Sequence, residues 1–206
     1  ISIVISPVVL THNPLYSLLL PLAQADDDGS GTSMLLQSAH LIHQHSLSFD
    51  RTLQLVAFSG EEQGLFGSRA YARHLRDRHA NVTVMLQGDM LAYRREGEPM
   101  QCGFPERFRT EEVTVLVRNV TQFYVPELTI GITGACCSDH QSFWENGFAS
   151  TQFFERNGPI VDPMYHNSGD LVYRSGYDLE QLAAITKAML SSILHIAEFT
   201  TEKERV

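Results

Sequence analysis

From Ser30 onward, short apolar runs of strand length alternate with amphipathic stretches of helix length, and this rhythm constrains the fold most tightly. Helical periodicity covers 31–47, with Leu35, Ala39 and Ile42 on one face, then 62–79, 111–123 and 177–199, with a helical turn at 139–146. Apolar strand-length runs fall at 52–59, 82–90, 128–132 and 149–154. Residues 94–109 are rich in charge, Gly and Pro and read as an excursion loop. Strand and helix in this order predict an α/β fold: a three-layer sandwich with a largely parallel mixed sheet flanked by helices.

Composition excludes several function classes. A net charge of −9 disfavours a nucleic-acid groove, which needs clustered Lys and Arg. The apolar stretch 1–22 is interrupted by Pro7, His12, Asn13 and Pro14, well short of a membrane span. Ala23-Gln24-Ala25 has the look of a signal-peptide cleavage site, but no basic segment precedes it. The three cysteines, Cys102, Cys136 and Cys137, are too few for a disulfide framework and lack zinc-finger spacing, leaving one bridge, from Cys102 to one of the adjacent pair, as the pairing to look for. Two glycosylation sequons, at Asn81 and Asn119, tilt the reading towards a secreted or vacuolar protein.

In open α/β sheets ligands bind beyond the carboxyl ends of the strands. Four groups of ionisable residues fall at such ends: Asp26-Asp27-Asp28 before the first helix, Glu61-Glu62 after LQLVAFSG, Asp89 after VTVMLQG, and His166 after the last strand. Asp, Glu and His are the oxygen and nitrogen ligands of hydrolytic zinc. Adjacent glutamates allow one to hold metal while the other accepts a proton from water. No His-Glu-x-x-His helix is present, so the site is not of the thermolysin type. Singly, each group has a plain structural explanation as helix cap, dipole complement or turn residue. Their joint occurrence at successive strand ends is what points to a metal site.

Five motifs carry a family resemblance: Ala25-Asp26-Asp27-Asp28-Gly29-Ser30-Gly31, Gly60-Glu61-Glu62-Gln63-Gly64-Leu65-Phe66-Gly67-Ser68, Gly88-Asp89-Met90, Ser138-Asp139-His140 and Tyr165-His166-Asn167. Together they resemble metallopeptidase family twenty-eight, the co-catalytic zinc aminopeptidases, which also contains glutamate carboxypeptidases and glutaminyl cyclases. The resemblance implies a zinc-exopeptidase fold, a peptide substrate and two zinc ions. It makes Asp27 the carboxylate bridging both ions, Glu62 and His166 the remaining ligands of one, and Asp89 a ligand of the other. It makes Glu61 the general base, places Asp139 and His140 where they support the ligands, and leaves Gly67 and Ser68 to helix packing.

Two departures modify those expectations. The family's first ligand lies in an apolar strand ending His-x-Asp, whereas this chain has His12-Asn13-Pro14. Residues 1–24 are read as an atypical segment outside the native domain, because Ser17 to Gln24 can be encoded by pyrimidine-rich codons ending in CAG, as an intron's 3′ end would be. On that reading residues 25–206 form an N-terminally truncated catalytic domain lacking its first strands, His12 is not a ligand, and one zinc rather than two is held. Secreted family members often carry a tyrosine and a disulfide where this chain has Gly134-Ala135-Cys136-Cys137, so residue specificity does not carry over.

The functional expectation is a zinc-dependent aminopeptidase. The alternative is a truncated, catalytically impaired homologue acting as a binding module. Asp26 to Gln37 also loosely mimics a calcium loop, but position twelve is Gln37 rather than Glu. His40, His43 and His45 do not share one helix face and read as solvated, and no Gly-x-Ser-x-Gly elbow surrounds Ser30. Trp144, Phe153 and Phe154 read as core or pocket wall. The oligomeric state is not legible.

Overall fold

The computed structural model describes residues 2–6, 8–9 and 24–201. In chain order the elements are β1 (Ser2–Ser6), β2 (Val8–Val9), α1 (Gly29–Gln44), β3 (Ser48–Phe49), β4 (Thr52–Leu55), β5 (Phe58–Ser59), α2 (Phe66–Asp77) and β6 (Val82–Gly88). They continue with β7 (Gln101–Pro105), α3 (Glu111–Tyr124), β8 (Thr129–Thr133), α4 (Asp139–Glu145), β9 (Ser150–Phe153), α5 (Leu179–Ala197) and β10 (Phe199–Thr200).

The sheet runs β4-β1-β6-β9, with every neighbouring pair parallel. Gly103 in β7 bridges Phe154 antiparallel, just beyond β9, and β7 pairs in parallel with β8, so the whole is mixed but largely parallel. The position between β4 and β6 is filled by Ser2–Ser6, which belongs to the segment that the sequence sets apart. His12 lies outside the described residues.

Helices cover both faces, and β6 shows why. Its residues Val84, Met85 and Leu86 are all buried; Val84 and Leu86 join one apolar cluster and Met85 another. Successive strand side chains point to opposite faces, so a strand buried on both reads as a continuous apolar run. The Val84 and Leu86 face packs with Met34 and Leu35 of α1, Val117 of α3 and Ile185 and Met189 of α5. The Met85 face packs with Phe58, with Ala72 and Leu75 of α2, and with Phe143 of α4. The result is the three-layer α/β sandwich expected from the sequence.

Several local expectations need correction. The apolar run 52–59 is two strands, β4 and β5, rather than one. The helix expected from Glu62 starts only at Phe66, because Gly60, Gly64 and Leu65 take positive φ (71°, 115° and 61°) and hold Glu61 and Glu62 in a turn. The excursion 94–109 contains β7, buried along its whole length, because Cys102 and Phe104 enter the main core despite the charged flanks. Trp144 is 44% exposed and packs edge-on against Phe108, so it is not core, whereas Phe153 and Phe154 are. The disulfide joins the adjacent Cys136 and Cys137, and Cys102 is a buried free thiol. The calcium-loop alternative fails because Gly29–Gln44 is continuous helix, with Gln37 exposed on it.

Candidate metal centre

Three consecutive aspartates meet three different environments. Asp28 caps α1, its Oδ1 accepting the N–H of Gly31 at 2.8 Å and that of Met90 at 3.2 Å. Asp26 turns inward, where Oδ1 accepts the N–H of Ala92 at 2.7 Å, and the Ser30 hydroxyl donates to its carbonyl at 2.7 Å. Leu91 N–H donates to Ser30 Oγ at 2.9 Å, so this loop is pinned residue by residue to the chain leaving β6. Gly31 permits the approach: a Cβ there would lie 2.6 Å from the carbonyl oxygen of Gly88. Asp27 alone is left to face the cleft.

Opposite it, the Glu61-Glu62 turn follows β5. Gly67 lets α2 start directly against that strand, since a Cβ would meet Ser59 backbone at 2.7 Å, and Ser68 Oγ sits 2.8 Å from Ser142 Oγ of α4. His166 comes from the loop before α5, with φ 54° and the Tyr165 ring stacked 3.7 Å from its own. Its Nε2 lies 3.2 Å from Glu62 Oε2 and 3.5 Å from Asp27 Oδ2. Ligand atoms of Asp27, Glu62 and His166 all fall within 4.8 Å of one another, a donor set that suits zinc.

Glu61 and Asp89 adjoin this group. Burial, then the charges of Asp89, Glu62 and Glu61, raise Asp27 to about 9. Burial, then Asp89 and Glu62, raise Glu61 to about 8. Asp89 rises to about 7, mainly through burial, with a Ser138 hydrogen bond opposing. Carboxylates that hold their protons so strongly are short of a positive charge, which a bound cation would supply.

Asp139 and His140 lie beneath, on α4, both fully buried. His140 donates its backbone N–H to Gln87 Oε1 at 2.6 Å, with ring Nδ1 2.9 Å from the same oxygen, and burial lowers the imidazole to about 3. Burial raises Asp139 to about 6, with the Ser68 hydroxyl opposing. The structure thus brings together Asp27, Glu61, Glu62, Asp89, His166 and Asp139, with His140 behind them.

Sequence reasoning gave no role to Ser138, whose hydroxyl accepts from Gln87 Nε2 and, lying beside Glu61 and Asp89, opposes the rise of both carboxyls. Its place directly before Asp139-His140 was the available signal. It also missed a second buried carboxylate group, Asp26, Glu155 and Asp162, whose oxygens lie within 4.8 Å. Burial raises both Asp26 and Glu155. Arg174 already supplies a cation there, with Nη2 2.5 Å from Asp162 and 3.8 Å from Asp26.

A three-layer sandwich whose carboxylates and histidine converge at the strand ends is the zinc-exopeptidase type of fold. The chain belongs to Peptidase family M28, whose family model matches residues 19–193. Among its relatives, a leucine aminopeptidase 1 of Phaeosphaeria nodorum is 30% identical over 93% of this chain and 53% of its own length. LapB from Legionella pneumophila superposes with a TM-score of 0.82 at 25% identity, over 95% of this chain and 52% of LapB. BSAP, a zinc aminopeptidase from Bacillus subtilis, shares the fold with a TM-score of 0.75 at 23% identity, over all of this chain and 47% of BSAP. The chain therefore spans about half the length of the relatives it matches. Among the described residues, no helix is long and apolar enough to cross a membrane.

Proposed function

We propose that this chain carries the catalytic unit of a zinc-dependent aminopeptidase that removes N-terminal residues from peptides, with β1 part of its sheet. The observation that carries this reading is the convergence of Asp27, Glu62 and His166 within 4.8 Å, from three separate loops. Relatives named as leucine aminopeptidases and a zinc aminopeptidase of the same fold support the choice of substrate end and metal.

In this reading Asp27, Glu62 and His166 hold one zinc, and Asp89 joins Asp27 towards a second position. Bound zinc would polarise the scissile carbonyl and acidify water. Glu61, raised to about 8 in the metal-free protein, takes the proton from the attacking water and passes it to the leaving amine. The Ser138 hydroxyl favours the charged forms of Glu61 and Asp89, and Asp139 and His140 support the same wall from α4. The acidic surroundings suit the free α-ammonium group of a peptide.

One observation favours a second reading, of an impaired homologue that binds rather than cleaves. Beside Asp27 the second metal position would draw on Asp89, whose charge raises Asp27, and this reading expects a single tightly held zinc per chain. The exposed sequon residues Asn81 and Asn119 and the Cys136–Cys137 disulfide support a secretory compartment. The deciding experiment is release of N-terminal amino acids from short peptides by the purified chain. Chelator-sensitive release supports the peptidase; zinc binding without release supports the impaired homologue.

A further inference from the structure

We propose that Asp170, braced by Arg174, is a positioning residue that locks the His166 loop to the Asp27 loop and so sets the geometry of the metal centre. The inference rests on reading Asp27 and His166 as ligands of one metal. His166 sits in a loop built of turns, without helix or strand, and its side chain is 49% exposed. Apart from the adjacent Tyr165 ring, its placement depends on how the loop itself is held.

Asp170 makes the missing connection. Its carboxylate accepts the backbone N–H of Asp26 at 3.0 Å and of Asp27 at 3.0 Å, while its carbonyl accepts those of Gln24 at 2.8 Å and Ala25 at 3.0 Å. One residue thus receives four consecutive backbone donors from the loop presenting Asp27. Charge-assisted bonds of this kind are the stronger class, and here they are buried.

Arg174 fixes the other side. Its Nε donates to Asp170 Oδ1 at 3.1 Å, and Nη1 and Nη2 donate to the two Asp162 oxygens at 2.7 and 2.5 Å. The guanidinium also lies 5.0 Å from the Tyr93 ring centroid. Asp162 and Asp170 flank His166 on either side in sequence, so the fork of Arg174 closes the base of the loop at whose tip the imidazole stands. A planar fork can serve both carboxylates at once, which a lysine ammonium cannot do in the same geometry.

The test compares the full chain with Asp170→Asn and Arg174→Lys, reading zinc affinity, the visible absorption of the cobalt(II)-loaded protein, and amide exchange at Asp26 and Asp27. Either substitution is expected to weaken zinc binding by about 10–100-fold, the range for residues that orient a ligand. Each is expected to change the cobalt spectrum and to speed exchange at the two amides by about 10-fold or more. If Asp170→Asn does not fold, Arg174→Lys decides, since it keeps the charge and removes only the fork. Folded variants with unchanged zinc affinity, cobalt spectrum and exchange rates overturn the proposal. If the unsubstituted chain binds no metal, the reading of the centre fails, while the exchange rates still decide whether Asp170 locks the two loops.

Discussion

The imidazole Nε2 of His166 lies 3.2 Å from Oε2 of Glu62, although one residue comes from the loop before α5 and the other from the turn after β5. Asp27 completes the triangle. Either His166→Ala or Glu62→Ala should lower zinc affinity by more than about 100-fold, beyond the ~10–100-fold cost of losing a group that only orients a ligand. Elemental analysis of the unsubstituted protein should find one zinc per chain; two would contradict the one-ion reading.

Glu61 is placed beside this triangle rather than in it. Glu61→Gln keeps the shape and removes the proposed base, so turnover should fall by about 10²–10⁴-fold while zinc content stays the same. Turnover at the unsubstituted rate would remove Glu61 from its role.

Without metal, the centre should make the fold sensitive to alkali. Asp27, Asp89 and Glu61 keep their protons to about 9, 7 and 8 in the folded chain, whereas in the unfolded chain such groups ionise near pH 4. Between those limits the folded state binds more protons, so its stability falls as pH rises. The Tm of the metal-free protein should drop from pH 6 to pH 9, with each ~1 kcal/mol lost worth roughly 2–4 °C in a chain of this size. Zinc should flatten the curve, since a cation replaces the protons. A metal-free Tm that climbs over this range would refute the assignment.

The cysteines give a separate check on the loop before α4. Thiol titration of the denatured, unreduced protein should find one free thiol, that of Cys102, with Cys136 and Cys137 paired. In the native protein even that thiol should be silent, because burial pushes it up to about 12. A peptide map linking Cys102 to either neighbour would overturn this pairing.

What the sequence revealed, and what it hid, follows from the range of the interactions. Periodicity located the helices and the buried strands because β6 and α5 repeat their burial at every turn or pleat. The acidic strand ends were legible for a similar reason: each follows an apolar run. The β7 strand was hidden because its charged, Gly- and Pro-containing flanks mask five residues that are buried only through tertiary packing. Asp162, Asp170 and Arg174 were hidden because nothing local distinguishes them; their partners Asp26 and Asp27 lie at the far end of the described domain. Ser138 stood within a recognised motif but was given no role, because a hydroxyl before a helix reads first as a cap, a role its side chain does not fill.

The three aspartates of the first loop carry one letter but answer to different demands. Asp26 and Asp28 hold backbone amides on the β6 side, whereas among the described residues the Asp27 carboxylate faces His166. Drift at 27 would leave a well-folded descendant that has fallen silent, whereas drift at 26 or 28 would leave little for selection to keep. Lineages that lost the chemistry and retained the scaffold should therefore differ from this chain at the middle position of the triplet, with its neighbours intact.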